Sequence, residues 1–451
     1  MKATNYCFEF PLENPRGVKI KDGGMLVYNA LTNALAAIDT DKFNVFDEFR
    51  KNGTPIEDEE LIKQLAEGGF LVEDSFNELH ELRYRMLGGR YTSNQLSLTI
   101  APTSDCNFRC VYCYEKNVLR NAYMNEEIIK GITDFFDSRV SQIRNFSVTW
   151  YGGEPLLCMD TIERLSKHFI TECEKHNIQY SAGIITNGYL LTREKIEKLN
   201  NLKVDFYQIT LDGTKETHDA NRPLRNGGGT YDVIINNIVK YFDVLPTVAI
   251  RINVDKNNWQ AADEVANFIK ENGLSEKVRA YLGRIMNDND DPKLAVTCFS
   301  VNDFAGADIE YSKKYHTDDF AQKYPSLRGN YCGADCATSF VIDSDGSIYK
   351  CWNEVGRKEL AVGHVLNRTS KGNYEIFDKY MLFDPTQDPE CSKCKVLPIC
   401  MGGCPYYRVH GRSNEQCSVF KNSLQSYISY VAENIMHQRE EREKNKTVES
   451  A

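Results

Sequence analysis

The sequence predicts an α/β protein built around a partial (β/α)6 TIM-like barrel, with a smaller domain before it and another after it. Six apolar strand candidates alternate with amphipathic helices over residues 92–285. This repeated order implies a parallel sheet with right-handed crossovers, and six units are too few for a closed barrel of eight. Short strands and three helices precede the barrel over residues 1–88, and eight of the fifteen cysteines lie beyond residue 330.

The barrel elements are predicted from hydrophobic periodicity. Strands are expected at Leu96–Ala101, Phe146–Trp150, Ala182–Thr186, Phe206–Leu211, Val248–Val254 and Val278–Leu282. Helices are expected near residues 125–140, 159–175, 192–200, 231–242 and 259–272. Because catalytic groups of such barrels lie at the C-terminal ends of the strands, motifs at those ends are the first candidates for a site.

The flanking regions have their own patterns. Residues 1–88 are expected to form strands at Gly24–Ala30, Asn33–Ile38 and Phe70–Val72, with helices from about Asp41, after Pro55 and over residues 75–87. This order is winged-helix-like. Residues 286–330 are interpreted as a bridging segment, and residues 331–451 as a cysteine-rich domain that ends in a helix from Val419.

Composition narrows the functional class. Hydrophobic residues make up 41% of the chain and charged residues 26%, which is typical of a globular protein. The formal charge of −10 argues against general binding to nucleic acid or to anionic membranes. No apolar run reaches the roughly 18 residues that a membrane span needs, and the N-terminus lacks the apolar core of a signal peptide. We therefore expect a soluble cytoplasmic protein, in which clustered cysteines bind metal more often than they form disulfides.

The first cysteine cluster follows the first barrel strand and reads Cys106-x3-Cys110-x2-Cys113. Three thiolates on one loop can bind three irons of a 4Fe–4S cluster, which leaves the fourth iron without a protein ligand. An open metal position is what catalysis requires, whereas structural sites are closed. A zinc knuckle whose fourth ligand comes from elsewhere is the alternative.

This motif, with Tyr112 before its last cysteine, resembles the signature of the radical S-adenosylmethionine (radical SAM) enzymes. The resemblance implies that S-adenosylmethionine chelates the open iron and is cleaved by one electron to methionine and a 5′-deoxyadenosyl radical. It also implies that Tyr112 lies beside the adenine.

Further motifs at strand ends agree with this resemblance. By resemblance, Gly152-Gly153-Glu154-Pro155 contacts the methionine amino group, while Thr186-Asn187, Thr210 and Asp212 line the ribose and carboxylate pockets. Arg222 could hold the carboxylate through two hydrogen bonds. A turn residue is the simpler interpretation of Glu154, and a surface salt bridge that of Arg222.

The second cysteine group resembles the seven-cysteine pattern of SPASM domains, with an eighth cysteine in front. The resemblance implies two auxiliary 4Fe–4S clusters and hence three clusters in all. Their ligands would be Cys332, Cys336, Cys351 and Cys404 for the first, and Cys391, Cys394, Cys400 and Cys417 for the second. Only three residues separate Cys332 from Cys336, which is closer than in the best-known relatives. Whether Cys332 is a ligand stays open, and an unligated iron there could bind the substrate.

The N-terminal region resembles the recognition element of enzymes that modify ribosomally made peptides (RiPPs), which captures the leader of a precursor peptide as an added strand. The leading hypothesis is a RiPP maturase of the sactipeptide or ranthipeptide group, which joins a cysteine sulfur to carbon in a thioether. Such an enzyme implies a precursor peptide and a low-potential electron donor such as flavodoxin or ferredoxin as partners.

Three alternatives stay open. The first is carbon–carbon crosslinking or another peptide modification. The second is the anaerobic sulfatase-maturating, formylglycine-forming type, although there an aspartate follows the second SPASM cysteine and here Trp352 follows Cys351. The third is a zinc-dependent peptide-binding protein without catalytic activity.

Overall fold

The computed structural model describes residues 1–12, 24–316, 319–367 and 372–449. The chain forms two compact units. The first unit consists of Met1–Arg90, Val301–Tyr331 and Asp384–Ala451, and the second of Tyr91–Ser300 and Cys332–Phe383. Small parts of the predicted bridging segment (residues 317–318) and of the predicted cysteine-rich domain (residues 368–371, 450 and 451) lie outside the described residues.

The first unit begins with five short strands. They are β1 (Lys2–Ala3), β2 (Cys7–Pro11), β3 (Met25–Asn29), β4 (Ala34–Ile38) and β5 (Leu71–Val72). Strands β2, β3 and β4 form an antiparallel sheet in this order, and β1 pairs with β5 in a separate two-stranded antiparallel sheet. Its helices are Thr40–Asn52, Glu59–Glu67, Glu78–Tyr91 (up to Arg90), Val301–Tyr315, Leu397–Cys400, Pro405–Val409, Ser413–Gln416 and Phe420–Glu449. Short 3-10 turns lie at Phe320–Lys323 and Cys391–Lys393.

Local chemistry explains the limits of the early helices. The side chain of Asp58 accepts a hydrogen bond from the backbone of Leu61 and caps the helix Glu59–Glu67. Gly53 ends the helix Thr40–Asn52 with a φ of 72°, a conformation that glycine adopts at low cost. Both helices turn apolar side chains into one core, which includes Phe46 and Leu65.

A second core of the first unit brings together distant parts of the chain. Tyr28 on β3 and Leu82 in the third helix are completely buried in it with Ile428 of the C-terminal helix. Cys400 belongs to the same core, and Cys391 and Cys394 pack against it. The helix Val301–Tyr315 packs on the C-terminal helix through a separate apolar cluster.

The second unit is built on a nine-stranded mixed sheet. Its strands are β6 (Gln95–Ile100), β7 (Asn145–Trp150), β8 (Gln179–Thr186), β9 (Val204–Thr210), β10 (Thr247–Val254), β11 (Val278–Arg284), β12 (Ser339–Ile342), β13 (Ser347–Tyr349) and β14 (Gly363–His364). The order is β11-β10-β9-β8-β7-β6-β12-β13-β14. Strands β6 to β11 are parallel and confirm all six strand predictions, with ends that differ by up to three residues.

The three remaining strands come from the cysteine-rich region and were not predicted. Strand β12 pairs in parallel with β6, and β13 and β14 follow in antiparallel, which makes the sheet mixed. The helices of this unit are Glu126–Asp137, Met159–Lys175, Arg193–Asn201, Lys215–Asn221, Tyr231–Lys240, Ala262–Glu271, Pro292–Thr297 and Tyr374–Met381. The 3-10 turns are Pro155–Leu157, Trp259–Ala261, Gly333–Asp335, Trp352–Glu354 and Lys358–Leu360.

The two faces of the parallel strands differ in polarity. In β6, Leu96 and Leu98 are buried, while Ser97 and Thr99 between them are partly exposed. The same alternation continues along the neighbouring strands. The apolar face is therefore covered by helices, and the polar face is the one that can meet a ligand. Among the described residues, none of the helices combines the length and apolar character that crossing a bilayer requires.

Candidate active site

The first cysteine motif lies on a loop that leaves the C-terminal end of β6. Backbone hydrogen bonds fasten this loop to residues 221–225: Arg109 N to Pro223 O, Val111 N to Asn221 O, and Arg225 N to Asn107 O. Cys106, Cys110 and Cys113 are partly buried, and no disulfide links the cysteines of the described residues. The loop is therefore held by its backbone, which leaves the three thiols available as ligands.

The chemistry of these thiols suits an iron–sulfur cluster. Burial, together with the charges of Glu154 and Cys110, raises the pKa of Cys106 to about 12. The pKa values of Cys110 and Cys113 are also raised, chiefly by burial. Three neighbouring thiolates in a buried place need a cationic partner, and soft thiolate ligands favour iron–sulfur clusters. In the described part of the chain, no three His, Cys, Asp or Glu side chains converge on a position for a single metal ion.

Two glycines let the cluster loop lie against the end of β7. A Cβ atom on Gly152, which has a φ of 107°, would lie 2.6 Å from the carbonyl oxygen of Thr103. A Cβ atom on Gly153 would lie 2.1 Å from the carbonyl oxygen of Asp105. Both distances are shorter than any ordinary contact, so this part of the motif is required by the close approach of two backbones.

Glu154 uses its carboxylate entirely within the protein. Its Oε1 accepts hydrogen bonds from Leu156 N at 3.0 Å and Thr186 Oγ1 at 2.7 Å, and its Oε2 accepts one from Asn187 N at 2.8 Å. The residue is completely buried. Burial raises the pKa of Glu154, and the three donors oppose that rise. Glu154, with buried Pro155 after it, therefore ties the end of β7 to the end of β8.

Tyr112 is the centre of a polar network at the ends of β9 and β10. Its hydroxyl donates to Asp212 and accepts from Arg222 Nη1 at 2.9 Å and from Asn253 Nδ2 at 3.0 Å. The Arg222 guanidinium also lies 5.7 Å from the centre of the Phe108 ring. The structure thus brings Tyr112, Asp212 and Arg222 together, as expected for one site.

Two members of this network were not predicted. Asn253 N donates to Asp212 Oδ1 at 3.2 Å, and Asp212 N donates to His218 Nδ1 at 3.1 Å. Burial lowers the pKa of His218 to about 3, so the ring is neutral and can accept this bond. The signal for Asn253 was its place at the end of the fifth strand, where the other strands also end in polar residues. Thr210 is buried at the end of β9, beside Arg251 of β10.

The auxiliary cysteines are divided between the units. Cys332, Cys336 and Cys351 belong to the second unit, where Cys332 is exposed and Cys336 is buried. Lys350 is buried beside them, and its Nζ donates to the carbonyl oxygens of Cys336 and Ser339. Cys404 belongs to the first unit.

The four cysteines expected to bind the second auxiliary cluster all lie in the first unit, together with Cys404. Burial, together with neighbouring Asp388, Cys400 and Cys394, raises the pKa of Cys391 to about 12. Burial also raises the pKa of Cys394, with a contribution from Cys400 and Cys417. These four thiols are therefore close enough to influence one another.

The relatives with curated descriptions are distant. The chain is 25% identical over 382 residues to a cysteine-type anaerobic sulfatase-maturating enzyme of Clostridium novyi, which covers 76% of this chain and 99% of that protein. It is 23% identical over 278 residues to the radical SAM cyclopropyl synthase TigE of Paramaledivibacter caminithermalis, which covers 55% of each.

Solved structures share the fold. The sulfatase-maturating enzyme anSMEcpe, with bound AdoMet and the Cp18Cys peptide, superimposes with a TM-score of 0.58 at 19% identity and covers 76% of this chain and 99% of its own. Streptococcus suis SuiB bound to the precursor peptide SuiA superimposes with a TM-score of 0.52 at 18% identity. The match covers 92% of this chain and 98% of the SuiB chain.

A protein-family model matches part of the sequence. Residues 100–269 match the Radical SAM superfamily. This range holds the three-cysteine loop, the Tyr112 network and the ends of strands β6 to β10. The chain therefore contains a radical SAM domain.

Proposed function

We propose that this radical SAM enzyme modifies a ribosomally made precursor peptide, and that it joins a cysteine sulfur of the peptide to a carbon of another residue. The observation that carries the proposal is the exposed thiol of Cys332 beside buried Cys336. If Cys332 is not a ligand, one position of the first auxiliary cluster would be open to a thiolate from the substrate.

Cys106, Cys110 and Cys113 would hold the first 4Fe–4S cluster, and the polar network at the strand ends would hold S-adenosylmethionine. When bound, these groups supply a 5′-deoxyadenosyl radical. The Tyr112 hydroxyl fixes Asp212 and Arg222 relative to the cluster loop.

Cys336 and Cys351 would be ligands of the first auxiliary cluster, with Cys332 or a substrate thiolate at its open position. Cys391, Cys394, Cys400 and Cys417 would complete the second auxiliary cluster. A metal-bound thiol loses its proton, so this site would hold the substrate cysteine as a thiolate. A low-potential donor such as flavodoxin or ferredoxin would provide the electrons.

The N-terminal strands support capture of a leader peptide. Strand β4 is an edge of the three-stranded sheet in the described residues, and Ala36 and Ala37 on it are exposed. Small side chains leave the edge accessible to an added strand, whose main-chain bonds give affinity. The solved structure of SuiB with its precursor peptide covers 92% of this chain, against 76% for anSMEcpe, which agrees with a peptide-binding region outside the catalytic domain.

Two other reactions have specific support. Formylglycine formation is favoured by the 25% identity to sulfatase-maturating enzymes. Against it, Trp352 takes the place after Cys351 and packs on Tyr151, with ring centres 5.5 Å apart, so this position offers no carboxylate base. Modification without sulfur is favoured by the similarity to the cyclopropyl synthase TigE.

The test is anaerobic incubation of the reconstituted enzyme with S-adenosylmethionine and the short peptide encoded next to its gene, followed by tandem mass spectrometry. The expected product has lost two hydrogens per crosslink, and prior alkylation of the peptide thiols blocks its formation. A product whose formation is insensitive to alkylation would indicate carbon–carbon coupling. Conversion of a single cysteine to formylglycine would support the sulfatase-maturating reaction instead.

A further inference from the structure

The polar face of the parallel sheet carries one arginine near the C-terminal ends of its strands. Arg251 lies in β10 between Thr210 of β9 and Tyr281 of β11. We propose that Arg251 binds a carboxylate group of the peptide substrate, an inference that rests on the peptide-modifying function proposed above. The peptide segment that enters the radical SAM domain would therefore contain an acidic residue.

Three neighbouring residues contact the side chain of Arg251. Its Nε donates to Asn253 Oδ1 at 2.8 Å, and its guanidinium carbon lies 5.9 Å from the centre of the Tyr281 ring. A Cβ atom on Gly283 would lie 2.5 Å from the same guanidinium carbon. Glycine at position 283 on β11 leaves the guanidinium its present place, beside Asn253 and the Tyr281 ring.

The terminal nitrogens of Arg251, Nη1 and Nη2, have no hydrogen-bond partner among the described residues. Within the described ranges, Arg251 forms one hydrogen bond, from its Nε to Asn253, and no ion pair. The carboxylate that interacts with it electrostatically belongs to Asp212, but both oxygens of that group already accept hydrogen bonds, from Tyr112 and from Asn253 N. A partly buried guanidinium whose Nη1–Nη2 edge has no partner in the described part of the chain is suited to a planar carboxylate.

The carboxylate could come from the substrate or from the methionine part of S-adenosylmethionine. Arg222 is the better candidate for the cofactor, since it borders the cluster loop through Tyr112 and Phe108. Arg251 instead packs along β10 and β11, on the open face of the sheet. This division leaves Arg251 for the substrate.

The test uses full-length, anaerobically reconstituted enzyme and a small probe, N-acetyl-glutamate N-methylamide, with the glutamine analogue as its neutral partner. Binding is measured by NMR titration of the probe with the wild type, R251Q, R251K and R279Q. Arg279 is the matched control, because it lies exposed near the start of β11, far along the same strand from Gly283.

R251Q should weaken binding of the glutamate probe about tenfold, to the level of the glutamine analogue, because a charge-assisted pair is lost. R251K keeps the cation without the paired N–H groups and should bind with intermediate affinity, and R279Q should bind as the wild type does. Equal binding to the wild type and R251Q would overturn the proposal.

The affinity for S-adenosylmethionine, measured by equilibrium dialysis on the same proteins, separates the two sources. A tenfold loss of cofactor affinity in R251Q with unchanged probe binding would assign the carboxylate to the cofactor and overturn the substrate assignment. The probe needs no turnover. A failure to find a modified peptide would therefore count against the proposed function, while the result for Arg251 would stand separately.

Discussion

Replacement of Glu154 by glutamine tests how the ends of β7 and β8 are held together. Each carboxylate oxygen accepts a backbone N–H, one from Leu156 and one from Asn187. Glutamine has a single acceptor oxygen, so in either orientation its NH₂ group must face one of these N–H donors. The variant thus loses one charge-assisted hydrogen bond and leaves a buried donor without a partner.

The size of the effect follows from these two losses. A hydrogen bond to a charged group contributes about 1.5–3 kcal/mol, and an unsatisfied buried donor costs about 1–3 kcal/mol. We expect E154Q to lower the free energy of unfolding by about 3 kcal/mol, which for a domain of this size lowers Tm by about 6–12 °C.

The assay is anaerobic differential scanning calorimetry of the wild type, E154Q and E163Q. Glu163 is the control because its carboxylate pairs with Lys167 and Lys198 on the outside of a helix. E163Q should unfold at the wild-type temperature. An E154Q transition that coincides with the wild type would refute the assignment of Glu154 as the link between the strand ends.

Three further predictions concern other parts of the chain. Y112F removes the hydroxyl group that donates a hydrogen bond to Asp212. We expect the Kd for S-adenosylmethionine, measured by equilibrium dialysis, to rise about tenfold. An unchanged Kd would contradict a role of the Tyr112 hydroxyl in cofactor binding. Because burial lowers the pKa of His218 to about 3, the free energy of unfolding should fall as the pH drops from about 6.5 towards 3, and urea unfolding of H218N should lack this dependence. A hydrogen bond from Arg50 lowers the pKa of Glu9. The pair therefore stabilises the fold at pH values above the ordinary carboxyl pKa, and this stabilisation is lost as the pH falls through the lowered pKa. In urea unfolding, R50M should lose less stability than the wild type below about pH 4.5.

The six parallel strands could be predicted because each has a local pattern. Leu96, Leu98 and their counterparts alternate with polar residues, and at least one helix separates each strand from the next. The cysteine spacings and strand-end motifs were likewise visible, since they are short and lie in one stretch of chain.

The rest depends on contacts between distant residues. Strand β12 joins the sheet beside β6, more than 200 residues earlier in the chain, through backbone pairing that leaves no local pattern. Asn253 and His218 act through bonds to Asp212, and the place of Arg251 depends on a glycine on the next strand. The three hydrogen bonds of Glu154 likewise depend on β7 and β8 lying side by side.

The most direct test of the proposed function is the fate of a hydrogen atom. The precursor peptide would be made with deuterated side chains and backbone carbons and incubated anaerobically with the reconstituted enzyme and unlabelled S-adenosylmethionine. Mass spectrometry should find deuterium in the released 5′-deoxyadenosine, in step with formation of the crosslinked peptide. Crosslinked peptide accompanied by 5′-deoxyadenosine without deuterium would contradict hydrogen abstraction from the peptide, and with it the function proposed for this enzyme.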